Sequence, residues 1–206
     1  MRFLDCDPEA ALAARVREAL LRGLRFELAI TGSVPNPLGY PRQYVAMPGR
    51  AAAAQFFVPH DNESGYWWQG ENARLGALAT AARAAQSLHL ADAAFDADLA
   101  AYAQRALDWL FGANPFDTCM LQGWGHNPPR YEPGFWNAPG GVCNGITSGL
   151  ADEQDIDFRK PEETEPMHSW RWTEQWIPHA AWLFCALSHG KPLPEKSFHP
   201  IDADRR

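Results

Sequence analysis

The chain has 206 residues, of which 46% are hydrophobic and 21% are charged, and its formal net charge is −7. This length and composition are typical of one globular domain with a sizeable core. No apolar run reaches the roughly 20 residues that a membrane-spanning helix requires, and the basic residues are scattered, so neither a membrane nor a nucleic acid is expected as a partner.

The N-terminal residues 1–8 lack the apolar core and the cleavage pattern of a signal peptide. The protein is therefore expected to be cytoplasmic, unless the sequence begins inside a longer gene. The cysteines are far apart and form no Cys-x-x-Cys pair, which argues against a structural zinc site. Free, mostly buried thiols are expected, with one disulfide in a secreted form as the alternative.

The first helix is predicted over residues 8–30. Asp7 is expected to cap it and Pro8 to occupy its first position, and apolar residues then recur at a spacing of four. Glycines and prolines between residues 31 and 41 end this helix. Residues 51–58 are short and apolar, and they are compatible with either a helix or a buried strand.

Two more helices are predicted over residues 71–90 and 93–111, with Gly112 at the C-terminal cap of the second. Residues 113–169 show almost no helical period. A segment of this length is too long for a plain connection, so it is expected to be functional or to contain small elements of its own.

A last helix is predicted to end at Gly190. Pro178 must lie in its first turn, because proline inside a helix breaks it. Glu174 therefore lies just before or within that turn. The apolar positions of this helix are Ile177, Ala180, Ala181, Phe184 and Leu187.

This element order predicts an all-α fold, in which helical hairpins with long functional loops at one end form part of an α/α toroid. Four strong helices are too few to close such a ring. We therefore expect one domain over residues 1–190 that is incomplete at its N-terminus, followed by a tail over residues 191–206.

Most of the nine tryptophans lie in or beside stretches rich in Gly, Pro and Asn. A tryptophan in such a loop is either a platform for a ligand or a lid on the core, and the two interpretations have about equal weight. The residues concerned are Trp67, Trp68, Trp124, Trp136, Trp170, Trp172 and Trp176.

Three groups of loop residues combine aromatic residues with Asn, Gln, Arg and His: 36–44, 67–74, and 114–116 together with 123–129. Such residues suit a neutral sugar, whose ring faces stack on aromatic rings while its hydroxyls need directed donors and acceptors. The alternative is that the Asn and Pro residues only build turns. None of the segments has the pattern of a nucleotide-binding loop, a serine-nucleophile elbow or a metal-binding His pair.

Glu174 is the sharpest candidate for chemistry, because Trp170, Trp172 and Trp176 surround it in sequence. Indoles that lower the local dielectric would raise the pKa of its carboxyl, as a general acid requires, whereas a nearby helix start would favour the anion. The alternative is a carboxylate that caps the last helix. The acidic residues just upstream are expected to form a solvated loop.

Three segments together resemble the family 9 glycoside hydrolases. They are Leu-Asp-Trp-Leu-Phe-Gly-Ala-Asn-Pro-Phe at 107–116, Gly-Trp-Gly-His-Asn-Pro-Pro at 123–129 and Trp-Arg-Trp-Thr-Glu at 170–174. The resemblance covers roughly residues 100–190. It implies an (α/α)6 barrel and inverting cleavage of β-linked glucans or related oligosaccharides, without a metal or other cofactor. Glu174 would donate the proton, and an aspartate about 6.5–9.5 Å away would activate water.

The chain departs from the family pattern at several points. It has no Asp-x-Gly-Asp segment, so the base is expected in a missing N-terminal half, with Asp61 or Glu63 as a less favoured alternative. Residues 130–132 replace a His-His-Arg cluster, Glu165 stands where an aspartate is usual, and Trp176 stands where a small residue is usual.

Together these patterns predict that the chain binds an oligosaccharide. The expected sugar contacts are His126, Asn127, Trp124, Trp68, Glu71, Arg42, Tyr40, Trp172 and Glu165. Two other functions stay open: a non-catalytic carbohydrate-binding domain, and a sugar epimerase or isomerase that would use a pair such as His126 and His179.

Overall fold

The structure is a computed structural model that describes residues 4, 12–46, 49–58, 70–129, 137–148, 156–163 and 170–189. Its described part is mostly α-helical. The helices are α1 (Ala13–Thr31), α2 (Glu71–Gln86), α3 (Ala93–Leu110) and α4 (Ile177–Ser188), with a 3-10 turn at Pro161–Glu163. The strands are β1 (Gln43–Val45), β2 (Ala53–Gln55), β3 (Thr147–Ser148) and β4 (Ile156–Asp157).

The strands form two antiparallel pairs. In the first pair, Tyr44 of β1 lies opposite Ala54 of β2, and in the second, Thr147 of β3 lies opposite Asp157 of β4. The first pair resolves the ambiguity of residues 51–58 in favour of a short strand. The second belongs to the long segment without helical period, which therefore contains small elements of its own.

Helix α2 lies at the centre of the fold and packs against both α3 and α4. Small residues make this possible: Ala79, Ala82 and Ala85 are fully buried. At Gly76 a Cβ atom would lie 3.0 Å from the backbone of Trp182, so the missing side chain lets α4 approach closely. Alanine favours helix and leaves room for a neighbouring backbone, which explains why this Ala-rich segment forms the core.

The predicted helix over residues 93–111 is confirmed with almost the same bounds. The side chain of Asp92 accepts a hydrogen bond from the Phe95 amide at 2.9 Å and caps the N-terminus. Gly112 follows the last turn with φ 123°, a conformation that glycine adopts without strain. The preceding helix ends at Gln86, four residues earlier than predicted; a turn over residues 87–89 follows, in which His89 has φ 45°.

Helix α4 begins at Ile177, and Pro178 lies in its first turn as predicted. The residues that it buries are His179, Leu183 and Ala186, whereas Ile177 and Phe184 are 86% and 72% exposed. The apolar positions that identify this helix in the sequence therefore face largely outward.

Two predictions lie beyond what the structure describes, namely the cap formed by Asp7 and Pro8 and the end of the last helix at Gly190. The three described cysteines are free, two of them buried and one exposed. No helix in the described ranges has the length and apolarity needed to cross a membrane.

Candidate functional site

Glu174 lies three residues before α4, in the segment that leads into that helix. The N-cap residue is Trp176, and no side chain of the described residues caps this helix. The capping role considered for Glu174 is therefore not seen. The carboxyl is partly buried and, among the described residues, has no hydrogen-bond or ion-pair partner.

The backbone around Glu174 is fixed by residues 137–145, which we call the clamp. The amide of Asn144 donates to the carbonyl oxygen of Glu174 at 2.9 Å, and the amide of Gly145 donates to that of Trp172 at 2.9 Å. The side chain of Asn144 donates to the carbonyl of Trp170 at 2.6 Å. These bonds fix the direction of the chain on the N-terminal side of the carboxyl.

Gln175 fixes the chain on the C-terminal side of Glu174. Its Oε1 accepts from the amide of Ala138 at 2.8 Å, and its Nε2 donates to the carbonyl of Ala138 and to Oε1 of Gln122, each at 2.9 Å. A Cβ atom at Gly141 would lie 2.1 Å from Oε1 of Gln175. Glycine is therefore needed at position 141 for this amide to enter the clamp.

The clamp is in turn joined to the N-terminus of α2 through Asn72. The amide of Asn72 donates to the carbonyl of Asn144 at 3.1 Å, and its Nδ2 donates to the carbonyl of Cys143 at 2.7 Å. Gly145 has φ 102°, and a Cβ there would lie 2.6 Å from Oδ1 of Asn72. Buried amides thus connect the central helix to the backbone of Glu174.

A turn at residues 114–118 supports the loop that carries His126 and Asn127. Asn114 donates to the carbonyls of Trp109 and Thr118, each at 2.8 Å, and accepts from two amides of the turn. This Asn builds a turn, which was the alternative to a sugar contact. Asn127 donates to the carbonyl of Phe116 and to the Thr118 hydroxyl, each at 3.3 Å, and Lys160 contacts its Oδ1.

The tryptophans near this region divide into two groups. Trp124 is 63% exposed, and a Cβ at Gly140 of the clamp would lie 3.4 Å from its Nε1. Trp176 is also exposed. Trp172 is buried, with the guanidinium of Arg171 4.5 Å from its ring. The exposed indoles of Trp124 and Trp176 can act as platforms, whereas Trp172 is part of the core.

Tyr40 and Glu71, both predicted to contact a sugar, form a buried group with Arg74. The Tyr40 hydroxyl donates to a carboxylate oxygen of Glu71, which is 3% exposed, and Arg74 lies 2.9 Å from the same carboxylate. Burial raises the pKa of Tyr40 well above its usual value. In this structure the group joins the 36–42 loop to α2, and the predicted sugar contact stays a prediction.

Arg42 is buried as well, and the central carbon of its guanidinium lies 5.1 Å from the centre of the Phe56 ring. Trp68 and Glu165, together with the alternative bases Asp61 and Glu63, lie outside the described residues. Their predicted roles are therefore unchanged.

The two histidines proposed for an isomerase lie in different environments. The side chain of His126 is exposed and lies 3.2 Å from Asp117. His179 is buried, and its Nε2 would lie 3.4 Å from a Cβ atom at Gly70. Burial lowers the pKa of His179 to about 4. His179 is therefore neutral at physiological pH and is surrounded by protein rather than by a binding groove.

Sequence reasoning missed Gln175, Asn144 and Gly141 as residues that position Glu174. Their role depends on contacts between segments about 30 residues apart, which no local period shows. The one signal was the Gly140–Gly141 pair, because adjacent glycines often mark a close approach of another chain segment.

In the described part of the chain, no group of three or more His, Cys, Asp or Glu residues is placed to hold a metal ion. No protein-family model matches the chain, and no curated protein matches it significantly.

Proposed function

We propose that the chain belongs to the catalytic region of a glycoside hydrolase that cleaves β-glycosidic bonds of an oligosaccharide with inversion, and that Glu174 is the proton donor. The observation that carries the proposal is the combination, within the described part of the chain, of a fixed backbone and an unpaired carboxyl at Glu174. Its backbone is fixed by Asn144 and its neighbour Gln175 is fixed by the clamp, while its carboxyl has no polar partner among the described residues. A general acid needs both a fixed position and a free carboxyl that can reach the leaving oxygen.

The exposed indoles support a sugar as the ligand. Gly140, beside the ring of Trp124, belongs to the same clamp that holds Gln175. Trp176 lies two residues after Glu174 and is exposed. Pyranose faces stack on such rings, so a sugar bound there would have its linkage near the carboxyl of Glu174.

The outer surface of α4 supports the proposal that the fold is part of an (α/α)6 toroid. The segment Ile177–Ser188 contains no charged residue, and its Ile177 and Phe184 are among the most exposed large apolar side chains of the described part. A helix that is apolar on all sides is usually buried between other elements. We propose that a further helix packs on this surface and that the catalytic base lies in a further part of the protein, with Asp61 or Glu63 as the alternative.

A carbohydrate-binding domain without turnover is the second candidate, and the exposure of Trp124 and Trp176 favours it. Those rings would bind a sugar whether or not the bond is cleaved. An isomerase that pairs His126 with His179 is less well supported, because His179 is buried.

The test is hydrolysis of cello- and chito-oligosaccharides by the full-length gene product, with proton NMR to identify the first anomer released. Glu174→Gln should lower kcat by about 100-fold or more, because the amide cannot donate the proton. Glu18→Gln, an exposed position on α1, is the matched control and should retain activity. Equal activity of Glu174→Gln and the wild type would exclude Glu174 as the acid. Saturable binding with no turnover would favour the second candidate.

A further inference from the structure

A cavity of about 440 Å³ lies beside the 34–42 loop. Ligand pockets in proteins commonly have volumes of about 300–1,000 Å³ and are lined mostly by apolar and aromatic groups with a few polar ones. This cavity has that character, because four of its lining residues are aromatic. They are Tyr40, Phe56, Phe57 and Trp109.

The one charged residue among the described lining residues is Arg42, which is 8% exposed. Its guanidinium donates to the carbonyl of Ile30 at 3.3 Å, to the Ser33 hydroxyl at 2.8 Å and to the carbonyl of Ala54 at 2.5 Å. All three acceptors are neutral. Among the described residues, its Nε–H has no hydrogen-bond partner, and no Asp or Glu forms an ion pair with it.

A buried arginine without an anion is unusual, because removing a charge from water is costly unless an opposite charge and hydrogen bonds compensate for it. The neutral acceptors around Arg42 supply part of the hydrogen bonding and none of the charge. A carboxylate bound in the cavity would supply the charge, and its attraction to the guanidinium would gain Coulomb energy.

The 34–42 loop, which borders the cavity, is held in one conformation by its own hydrogen bonds. Asn36 donates to the carbonyls of Thr31 and Tyr40 and accepts from the amide of Tyr40, so the loop closes on itself. Pro35 and Pro37 restrict the backbone on either side of Asn36. A preformed cavity loses little conformational entropy when a ligand enters.

We propose that this cavity is a second binding site that takes a small organic monocarboxylate with an apolar ring, the carboxylate facing Arg42 and the ring packing among the four aromatic side chains. The described lining residues come from 34–57, Trp109 and Ile156, and none comes from 170–176. The site is therefore distinct from the segment around Glu174, and binding of a carboxylate there does not depend on hydrolase activity.

The test compares phenylacetate with its neutral isostere phenylacetamide, each titrated calorimetrically into the wild-type chain. Phenylacetate should bind with one-to-one stoichiometry and at least about tenfold more tightly than phenylacetamide, and added salt should weaken its binding. Equal affinity for the two probes, or no saturable binding up to about 10 mM, would overturn the proposal.

Two variants locate the site. Arg42→Gln should remove the preference for the acid, whereas Arg22→Gln, an exposed arginine on α1, should keep it. If Arg42→Gln does not fold, Val34→Trp is the second variant, because Val34 lines the cavity, is partly exposed and can be enlarged to block it. Val34→Trp should lose binding of both probes without a loss of thermal stability. Acid-selective binding that survives Val34→Trp would show that the ligand binds elsewhere.

Discussion

The backbone amide of Asn144 donates to the carbonyl oxygen of Glu174 at 2.9 Å, and the carbonyl of Asn144 itself accepts from the amide of Asn72 at 3.1 Å. One residue of the clamp therefore joins the central helix α2 to the proposed acid. Substitutions in the clamp are expected to affect both stability and the position of the carboxyl.

Gln175→Ala should lower the free energy of unfolding by about 1–3 kcal/mol, because it removes the partners of Ala138 and Gln122. Urea unfolding measures the change. Gln104→Ala is the matched control, because the amide of Gln104 is exposed and bonds to Asp108 within one helix. That control should change stability by less than about 0.5 kcal/mol. Equal effects of the two substitutions would contradict the role given to Gln175.

Gly141→Ala should destabilise the fold by about 1–3 kcal/mol, because the new methyl group would overlap Oε1 of Gln175. Gly23→Ala, within α1, is the matched control, since a Cβ there meets nothing within 4 Å. It should be neutral or stabilising by about 0.5–1 kcal/mol, because alanine favours helix. Thermal unfolding should therefore occur at a lower temperature for Gly141→Ala and not for Gly23→Ala, and an unchanged stability of Gly141→Ala would refute this account.

Glu71→Ala should cost up to about 3–5 kcal/mol, because it leaves Arg74 as a partly buried cation without its carboxylate and removes the acceptor of the Tyr40 hydroxyl. Chemical denaturation is the measurement. Glu18→Ala removes an exposed carboxylate that is also paired with an arginine, and it should cost less than about 1 kcal/mol. A small effect at both positions would mean that the Tyr40–Glu71–Arg74 group is not a structural unit.

Acid should destabilise the protein partly through His179. Burial lowers the pKa of His179 to about 4, below the ordinary value near 6.5, so between these values the unfolded chain takes up a proton that the folded chain does not. The stabilisation is therefore complete above about pH 6.5 and decreases as the pH falls towards 4, by at most about 1.4 kcal/mol per pH unit.

Unfolding free energies of the wild type and His179→Gln between about pH 7 and pH 4.5 test this dependence. The variant should show a shallower pH dependence, because it lacks the group that titrates differently in the two states. His126→Gln, at an exposed position, controls for the loss of an imidazole. Identical slopes for the wild type and His179→Gln would contradict the prediction.

The helices were predictable because each depends on local signals. Asp92 and Gly112 mark the ends of α3, and Pro178 marks the start of α4. The sequence predicts that α2 continues to residue 90, because apolar residues continue the helical pattern past Gln86. In the structure α2 ends at Gln86. A continuing apolar pattern therefore does not mark where the backbone leaves the helix.

The site was predictable in part. The sequence indicated Glu174 and Trp124 as candidates. In the structure, the backbone of Glu174 is hydrogen-bonded to the clamp, and the ring of Trp124 lies beside Gly140 of the clamp. It did not indicate that Tyr40 and Arg42 are buried, since an aromatic or basic residue in a Pro-rich loop has the same sequence context whether it faces water or the core. Burial is decided by packing between distant segments.

The connection from Asn72 through Asn144 to Glu174 has a consequence for folding. It joins segments separated by about 70 and about 30 residues, so the loops between them must close before these hydrogen bonds can form. On the ribosome, the proposed acid can reach its place only after α2, the clamp and the chain up to Gln175 have all emerged. The helical hairpin of α2 and α3 can assemble before then, so the geometry around Glu174 should be among the last features to form.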